Sequence, residues 1–193
     1  MLFRSGTISG LAGSKLQLRL NNDPPLELSA PAAQFTFPSL LASGTQYVVQ
    51  VTREPTNPAQ HCAIAPNTDG GTVANANVTS VAITCTTAVF SIRGTVQNLR
   101  GSGLVLQKNG GDDLAIASDG SFTFPTKQAS GTNYQVTVRT PPLNPSQTCT
   151  IAHASGKVGD GDVSVAVTCA TNTFAIGGTV TGLLMNRDRK SVV

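Results

Sequence analysis

The chain of 193 residues has a composition rich in the small and β-branched residues that favour short strands and tight turns. Only 12% of its residues are charged, tryptophan is absent, and the formal net charge is +3. Arg187, Arg189 and Lys190 place much of that charge in the last few residues, so the rest of the chain lacks the basic stripe that nucleic-acid binding needs. No apolar run approaches the roughly 20 residues of a membrane-spanning helix, which predicts a chain without a membrane span.

One phrase, Gly-Thr-Ile or Gly-Thr-Val within an alternation of apolar and polar residues, occurs three times in the sequence. Its copies stand roughly 85 residues apart, which is the period of one small domain rather than of a solenoid turn. The repeat predicts a first unit of residues 1–87, a second unit of residues 88–172, and residues 173–193 as the first strand of a truncated third unit plus an aberrant tail. Because Met1 leads almost directly into the first repeat, no signal peptide is predicted in these residues. The chain is therefore predicted to be a fragment of a longer tandem array.

The second unit shows the strand pattern most clearly. Alternating or short apolar runs predict strands at 90–96, 104–107, 114–117, 121–124 and 134–138, and two further strands that contain Cys149 and Cys169. Turns are predicted at Asn109–Asp113 and at Asp119-Gly120, a strong hairpin signal. About seven short strands per unit, with no helical periodicity, predict an all-β fold of tandem antiparallel β-sandwiches of immunoglobulin-like type.

Aromatic residues recur at matched positions of these predicted strands. They are Phe35, Phe37 and Tyr47 in the first unit, and Phe122, Phe124 and Tyr134 in the second. Because they lie within alternating strands, the sequence predicts that they anchor the core of each sandwich. A stacking platform for sugars or bases is the alternative.

The four cysteines form one matched pair per unit, Cys62 with Cys85 and Cys149 with Cys169. One pair per unit predicts a disulfide within each, closing the open end of a hairpin whose turn in the second unit is at 159–162. A zinc site would need clustered ligands that do not recur, and His61 lies next to Cys62 on a strand, where neighbouring side chains point to opposite faces. Disulfides predict an oxidising compartment: the medium, the cell surface or the periplasm.

The second unit carries the phrases Gly-Ser-Gly-Leu-Val-Leu-Gln, Asp-Gly-Ser-Phe-Thr-Phe and Ala-Ser-Gly-Thr-Asn-Tyr. With their counterparts in the first unit, these phrases resemble the immunoglobulin-like tandem repeats of large bacterial secreted and surface proteins. They are also similar to the prealbumin-like B-type repeats of Gram-positive adhesins. The resemblance implies a stalk, spacer or adhesion module. Adhesin repeats often carry a Lys–Asn cross-link; the one lysine at a suitable early-strand position is Lys15, which is replaced by Gly103 in the second unit.

Two acidic clusters, Asp112-Asp113 and Asp160-Gly-Asp162, are the remaining candidates for a ligand site. Their carboxylates are the ligand type that calcium prefers, but aspartate also forms turns in its own right. The first unit has prolines at the first of these places and asparagines at the second. No cofactor is predicted, and His61 and His153 occupy non-equivalent positions that predict solvated surface.

The sequence thus favours a non-enzymatic spacer or adhesion module of a bacterial extracellular or cell-surface protein. Neighbouring repeats of the same chain are its first predicted partners, and a cell-surface protein or a glycan is a further one. Two other functions stay open, a calcium- or glycan-binding sandwich and the accessory domains of a secreted enzyme.

Overall fold

A computed structural model describes residues 2–182. Within that range the regular elements are β-strands alone, and no helix is long and apolar enough to cross a membrane. The strands of the first unit are β1 (Leu2–Ser9), β2 (Leu16–Leu20), β3 (Leu26–Leu28), β4 (Gln34–Leu41), β5 (Gln46–Arg53), β6 (Gln60–Ile64), β7 (Gly70–Thr72) and β8 (Val78–Thr87). Those of the second unit are β9 (Val89–Phe90), β10 (Ile92–Gln97), β11 (Leu104–Lys108), β12 (Asp112–Ile116), β13 (Gly120–Thr123), β14 (Gln128–Ala129), β15 (Asn133–Thr140), β16 (Gln147–Ala152), β17 (Ser155–Lys157) and β18 (Val163–Thr171).

Each unit contains two four-stranded sheets with the same topology, and the second unit has in addition the short antiparallel pair β9–β14. In the first unit the strand orders are β4-β1-β8-β6 and β3-β2-β5-β7, and in the second they are β13-β10-β18-β16 and β12-β11-β15-β17. The pairs β1–β8 and β10–β18 are parallel, and all other pairs in these sheets are antiparallel. The predicted all-β sandwich fold is confirmed, with one parallel pair in each unit.

The buried apolar side chains form two separate clusters, and each cluster draws residues from both sheets of one unit. Phe35 and Phe37 pack edge to face with ring centroids 5.5 Å apart, and Phe122 and Phe124 repeat this contact at 5.9 Å. All four rings are at most 8% exposed, so they anchor the cores as predicted and offer no platform for stacking a ligand.

The glycine of the repeated phrase has a steric role in both units. A Cβ atom built on Gly94 would lie 2.2 Å from the carbonyl oxygen of Val165 and 2.9 Å from the ring of Phe122. A Cβ atom on Gly6 would lie equally close to the carbonyl oxygen of Val81 and to the ring of Phe35. The central strand therefore needs glycine here because an aromatic ring and a neighbouring backbone close over it.

Three predicted elements differ from the structure. Asp112 and Asp113 belong to β12 rather than to the preceding turn, since they pair with Lys108 and Gln107 of β11. The segment between the two cysteine strands of the second unit is not a simple hairpin, because β17 crosses to the other sheet and pairs with β15. The strand predicted from Phe174 is absent from described residues 173–182, where no neighbouring strand is present to pair with it. The remainder of the predicted tail lies outside the described residues.

Candidate functional site

Both disulfides join neighbouring strands of one sheet. Cys62 of β6 pairs directly with Cys85 of β8, and Cys149 of β16 pairs with Cys169 of β18, with Cα atoms 4.0 Å apart in each case. No free cysteine is found among the described residues. The bonds therefore fix the last strand of each unit to the strand beside it.

Asp112, a predicted calcium candidate, takes part in a buried ion pair. Its Oδ2 atom lies 2.9 Å from Nζ of Lys108 and accepts a hydrogen bond from the hydroxyl of Thr126 at 2.5 Å. Lys108 is 3% exposed and also donates to the carbonyl and hydroxyl oxygens of Thr126. Burial by itself would raise the pKa of Asp112, but the hydrogen bonds from Thr126 and Lys108 and the charge of Lys108 lower it overall.

The other calcium candidates also have protein partners or stand apart. Asp113 forms an ion pair with Arg139 and accepts from the Gln107 amide at 2.7 Å. Asp162 accepts from the backbone N–H of Ser91 at 2.9 Å and lies 3.7 Å from Arg93. Across residues 2–182, no three His, Cys, Asp or Glu side chains form a group that could hold a metal ion. Calcium binding at these residues stays a prediction.

The two histidines lie apart on the surface. His61 is 76% exposed on its side chain and pairs with Glu54 through Nδ1 at 2.8 Å. His153 is exposed in a turn with φ of 55°, where its carbonyl oxygen accepts from the hydroxyl of Tyr134 at 3.1 Å. Neither histidine therefore shares a site with a candidate nucleophile.

Lys15, the lysine singled out from the resemblance, is exposed on a loop with φ of 65°. Among the described residues the buried lysine is instead Lys108, and Leu20 occupies the matched strand position of the first unit. Sequence reasoning missed Lys108 because the first unit has no counterpart; the signal was the replacement of Leu20 and Pro24 by Lys108 and Asp112 together.

A buried glutamine two residues before the first cysteine of each unit was also missed. The Oε1 atom of Gln147 accepts from the backbone N–H groups of Arg100 and Gly101 at 2.7 and 2.8 Å, and its Nε2 atom donates to the carbonyl of Asn98 at 2.9 Å. Gln60 makes the same set of contacts in the first unit. The repeated position of the glutamine was the signal. A glutamine amide supplies both the donor and the acceptor that this loop needs.

The two units meet at a junction in which one residue, Ala88, lies between strands β8 and β9. Its N–H group donates to the carbonyl of Ala59 in the first unit at 2.9 Å. Its carbonyl accepts from the N–H group of Ser130 in the second unit, also at 2.9 Å. The linking residue is thus hydrogen-bonded to both units.

Ser130 completes the junction. Its hydroxyl oxygen accepts from the backbone N–H of Ala59 at 2.9 Å and donates to the carbonyl of Gly159 at 2.6 Å. The residue is 4% exposed. Beside it, a Cβ atom on Gly131 would lie 3.0 Å from Cβ of Pro58, so the loop of the first unit sits directly on this turn of the second.

A cleft of about 370 Å³ opens beside these contacts. The first unit lines it with residues 56–59, and the second unit lines it with Ser130, Gly131 and residues 157–160. Asp160, a predicted calcium candidate, lies here on an exposed loop. The cleft contains no aromatic side chain and no cluster of carboxylates. It lies between the loops that the two units bring together at the junction.

Comparison with known proteins gives likeness in structure only. No family model matches the sequence, and no curated protein matches it. Among solved structures, the major pilin protein T-13 of Streptococcus pyogenes aligns at 10% identity and a TM-score of 0.30, covering 89% of this chain and 97% of the pilin. The minor pilin of Streptococcus agalactiae aligns at 10% identity and a TM-score of 0.30, covering 93% and 100%. At this level of likeness no residue role transfers between the proteins.

Proposed function

We propose that this chain is a non-enzymatic spacer module of an extracellular or cell-surface protein, in which docked β-sandwich units hold a fixed separation. The observation that carries this proposal is the junction. Ala88 is bonded through its N–H to one unit and through its carbonyl to the next, and Ser130 adds a second link to Ala59. A linker bonded in this way restricts rotation between the units, whereas a flexible linker has a solvated backbone.

Three further features support the proposal. The disulfide Cys62–Cys85 connects the two strands that lead into the junction, and disulfides persist in oxidising compartments outside the cytosol. Each unit has its own core, so the module extends by addition of units rather than by growth of one core. Three of the four acidic candidates, Asp112, Asp113 and Asp162, are bonded to protein groups rather than open to a ligand.

Residual dipolar couplings test the spacer directly, since they report the orientation of each unit in the same weakly aligned sample. We expect one alignment tensor to fit the backbone amides of both units. Two tensors of different magnitude would show units that move independently, and would refute the proposal.

A matched pair of variants sharpens this experiment. Ser130→Ala removes the hydroxyl that joins Ala59 to Gly159 and should reduce the agreement between the two units. Ser43 is the equivalent serine of the first unit; it is exposed, and its hydroxyl donates to the side chain of Asn75 within its own unit at 3.0 Å, so Ser43→Ala should leave the single tensor unchanged.

A further inference from the structure

The free end of the second unit repeats the surface that the first unit presents to the junction. Asn172 donates its backbone N–H to the carbonyl of Ser146 at 3.0 Å, as Ala88 does to Ala59 at 2.9 Å. Asn144 has φ of 55° and Asn57 has φ of 53°, so the two loops share their backbone course. Among the described residues, no hydrogen bond reaches the amide nitrogen of Ser146, whereas that of Ala59 is bonded to Ser130.

The partner half of the junction is a turn with the sequence Ala-Ser-Gly-Thr, present in both units as residues 42–45 and 129–132. In the second unit, Gly131 donates to the carbonyl of Val158 at 2.8 Å and Thr132 donates to Ala129 at 3.2 Å. In the first unit, Gly44 and Thr45 make the equivalent bonds at 2.8 and 3.2 Å. The turn is therefore formed whether or not it is docked, which means that docking requires little rearrangement.

Docking changes the exposure of this turn. Ser130, which meets the first unit, is 4% exposed, whereas Ser43 at the undocked end is exposed. At the opposite end, Leu143 takes the matched position of Thr56, which lines the junction cleft, and Leu143 is 57% exposed. An apolar side chain thus stands in solvent at the place where the first unit contacts its neighbour.

We infer that the surface formed by Leu143, Pro145, Ser146 and Asn172 binds the Ala-Ser-Gly-Thr turn of a further repeat unit that follows in the same chain. The serine hydroxyl of that turn accepts from the N–H of Ser146, and the serine N–H donates to the carbonyl of Asn172. The occupant is a following unit because the surface continues the arrangement of the junction. In addition, the repeated phrase begins again at Phe174, two residues beyond Asn172. This inference rests on the proposed spacer function and specifies how the spacer grows.

Amide hydrogen exchange rates, measured residue by residue, test this inference. In the present chain we expect slow exchange at Ala59 and fast exchange at Ser146. When residues 89–172 follow Asn172 a second time in place of residues 173–193, exchange at Ser146 should slow by about tenfold, since one added hydrogen bond has this order of effect. Unchanged exchange at Ser146 in the longer chain would overturn the inference.

A variant of the longer chain provides the control. The Ser130→Ala change, made only in the appended copy, should restore fast exchange at Ser146 while Ala59 stays protected by the unaltered junction. Protection of Ser146 that rises with protein concentration in the present chain would instead assign the surface to a second copy, and would also overturn the inference. Failure of the spacer proposal is distinguishable from these outcomes, because it is measured as two alignment tensors in the present chain.

Discussion

The buried ion pair of the second unit provides the sharpest test of how these sandwiches are stabilised. Nζ of Lys108 is held by Asp112 at 2.9 Å and by two oxygens of Thr126, and the lysine is 3% exposed. Asp112→Asn removes the countercharge and leaves the ammonium group buried with only neutral acceptors. Loss of one partner of a buried pair typically costs 3–5 kcal/mol, and we expect about 3 kcal/mol here because Thr126 still accepts two bonds.

Removal of the lysine instead of the aspartate should lower the free energy of unfolding by a smaller amount. Lys108→Leu introduces the residue that the first unit has at Leu20, which is fully buried. Asp112 then keeps the hydroxyl of Thr126, and its side chain is 16% exposed to water. We therefore expect a loss of about 1 kcal/mol for Lys108→Leu, because a partly hydrated carboxylate needs less compensation. The double variant should be near neutral, so that the cycle gives a coupling free energy of about 4 kcal/mol.

Urea unfolding followed by two-dimensional NMR measures these free energies unit by unit. The amide of Val136 reports the second unit, and that of Val49 in the first unit is an internal control that no variant should affect. The reasoning would be refuted if Lys108→Leu proved as costly as Asp112→Asn, since the penalty would then come from altered packing and not from an unpaired charge.

The pH dependence follows from the lowered pKa of Asp112. A carboxyl group with a lower pKa in the folded state contributes its full stabilisation above its unfolded pKa. That contribution is lost as the pH falls through the folded pKa. The free-energy difference between the natural chain and Asp112→Asn should therefore shrink on acidification below the usual range of aspartate. A difference that stayed constant there would show that ionisation of Asp112 contributes nothing.

Three further changes have expected outcomes that unfolding experiments can check. Gln147→Leu should destabilise the second unit by about 3 kcal/mol, because it leaves two backbone N–H groups of the 100–101 loop without an acceptor. A loss of stability below about 1 kcal/mol would show instead that water replaces the side-chain amide. Gly94→Ala should also cost about 3 kcal/mol through overpacking, whereas Gly111→Ala, with no atom within 4 Å of the new Cβ, is a neutral control. Millimolar calcium should leave the melting temperature unchanged compared with chelator, since Asp112 and its neighbours have protein partners; a rise in calcium alone would contradict this.

The sequence was sufficient to predict the fold class because its strand signals agree with one another. Alternation in the segments around Phe122 and Tyr134 has the period of a half-buried strand, and the matching segments of the first unit repeat it. The parallel pairing of β10 with β18 could not be read from these signals, because alternation reports which face is buried and not which strand lies alongside.

The site was harder to predict for a different reason. The junction depends on backbone groups, such as the N–H of Ala59 and the carbonyl of Ala88, and backbone groups leave no trace in residue identity. The one side chain that carries it, Ser130, lies in a turn where serine is common for local reasons. Lys108 was missed for the opposite reason, since it breaks the repeat; Asp112 was singled out as a calcium candidate, but its pairing with Lys108 was not predicted.

The position of the first disulfide connects the stability of a unit to the geometry of the array. Cys62 and Cys85 pair across β6 and β8, and Gln60 pairs with Thr87 two residues nearer the junction. The next residues along these strands are Ala59 and Ala88, which hold the second unit. A bond at this place therefore limits how far Ala59 and Ala88 separate when the end of the sheet frays. The same argument applies to Cys149 and Cys169 beneath Ser146 and Asn172, where the fixed pair of strands presents a ready surface to a following unit.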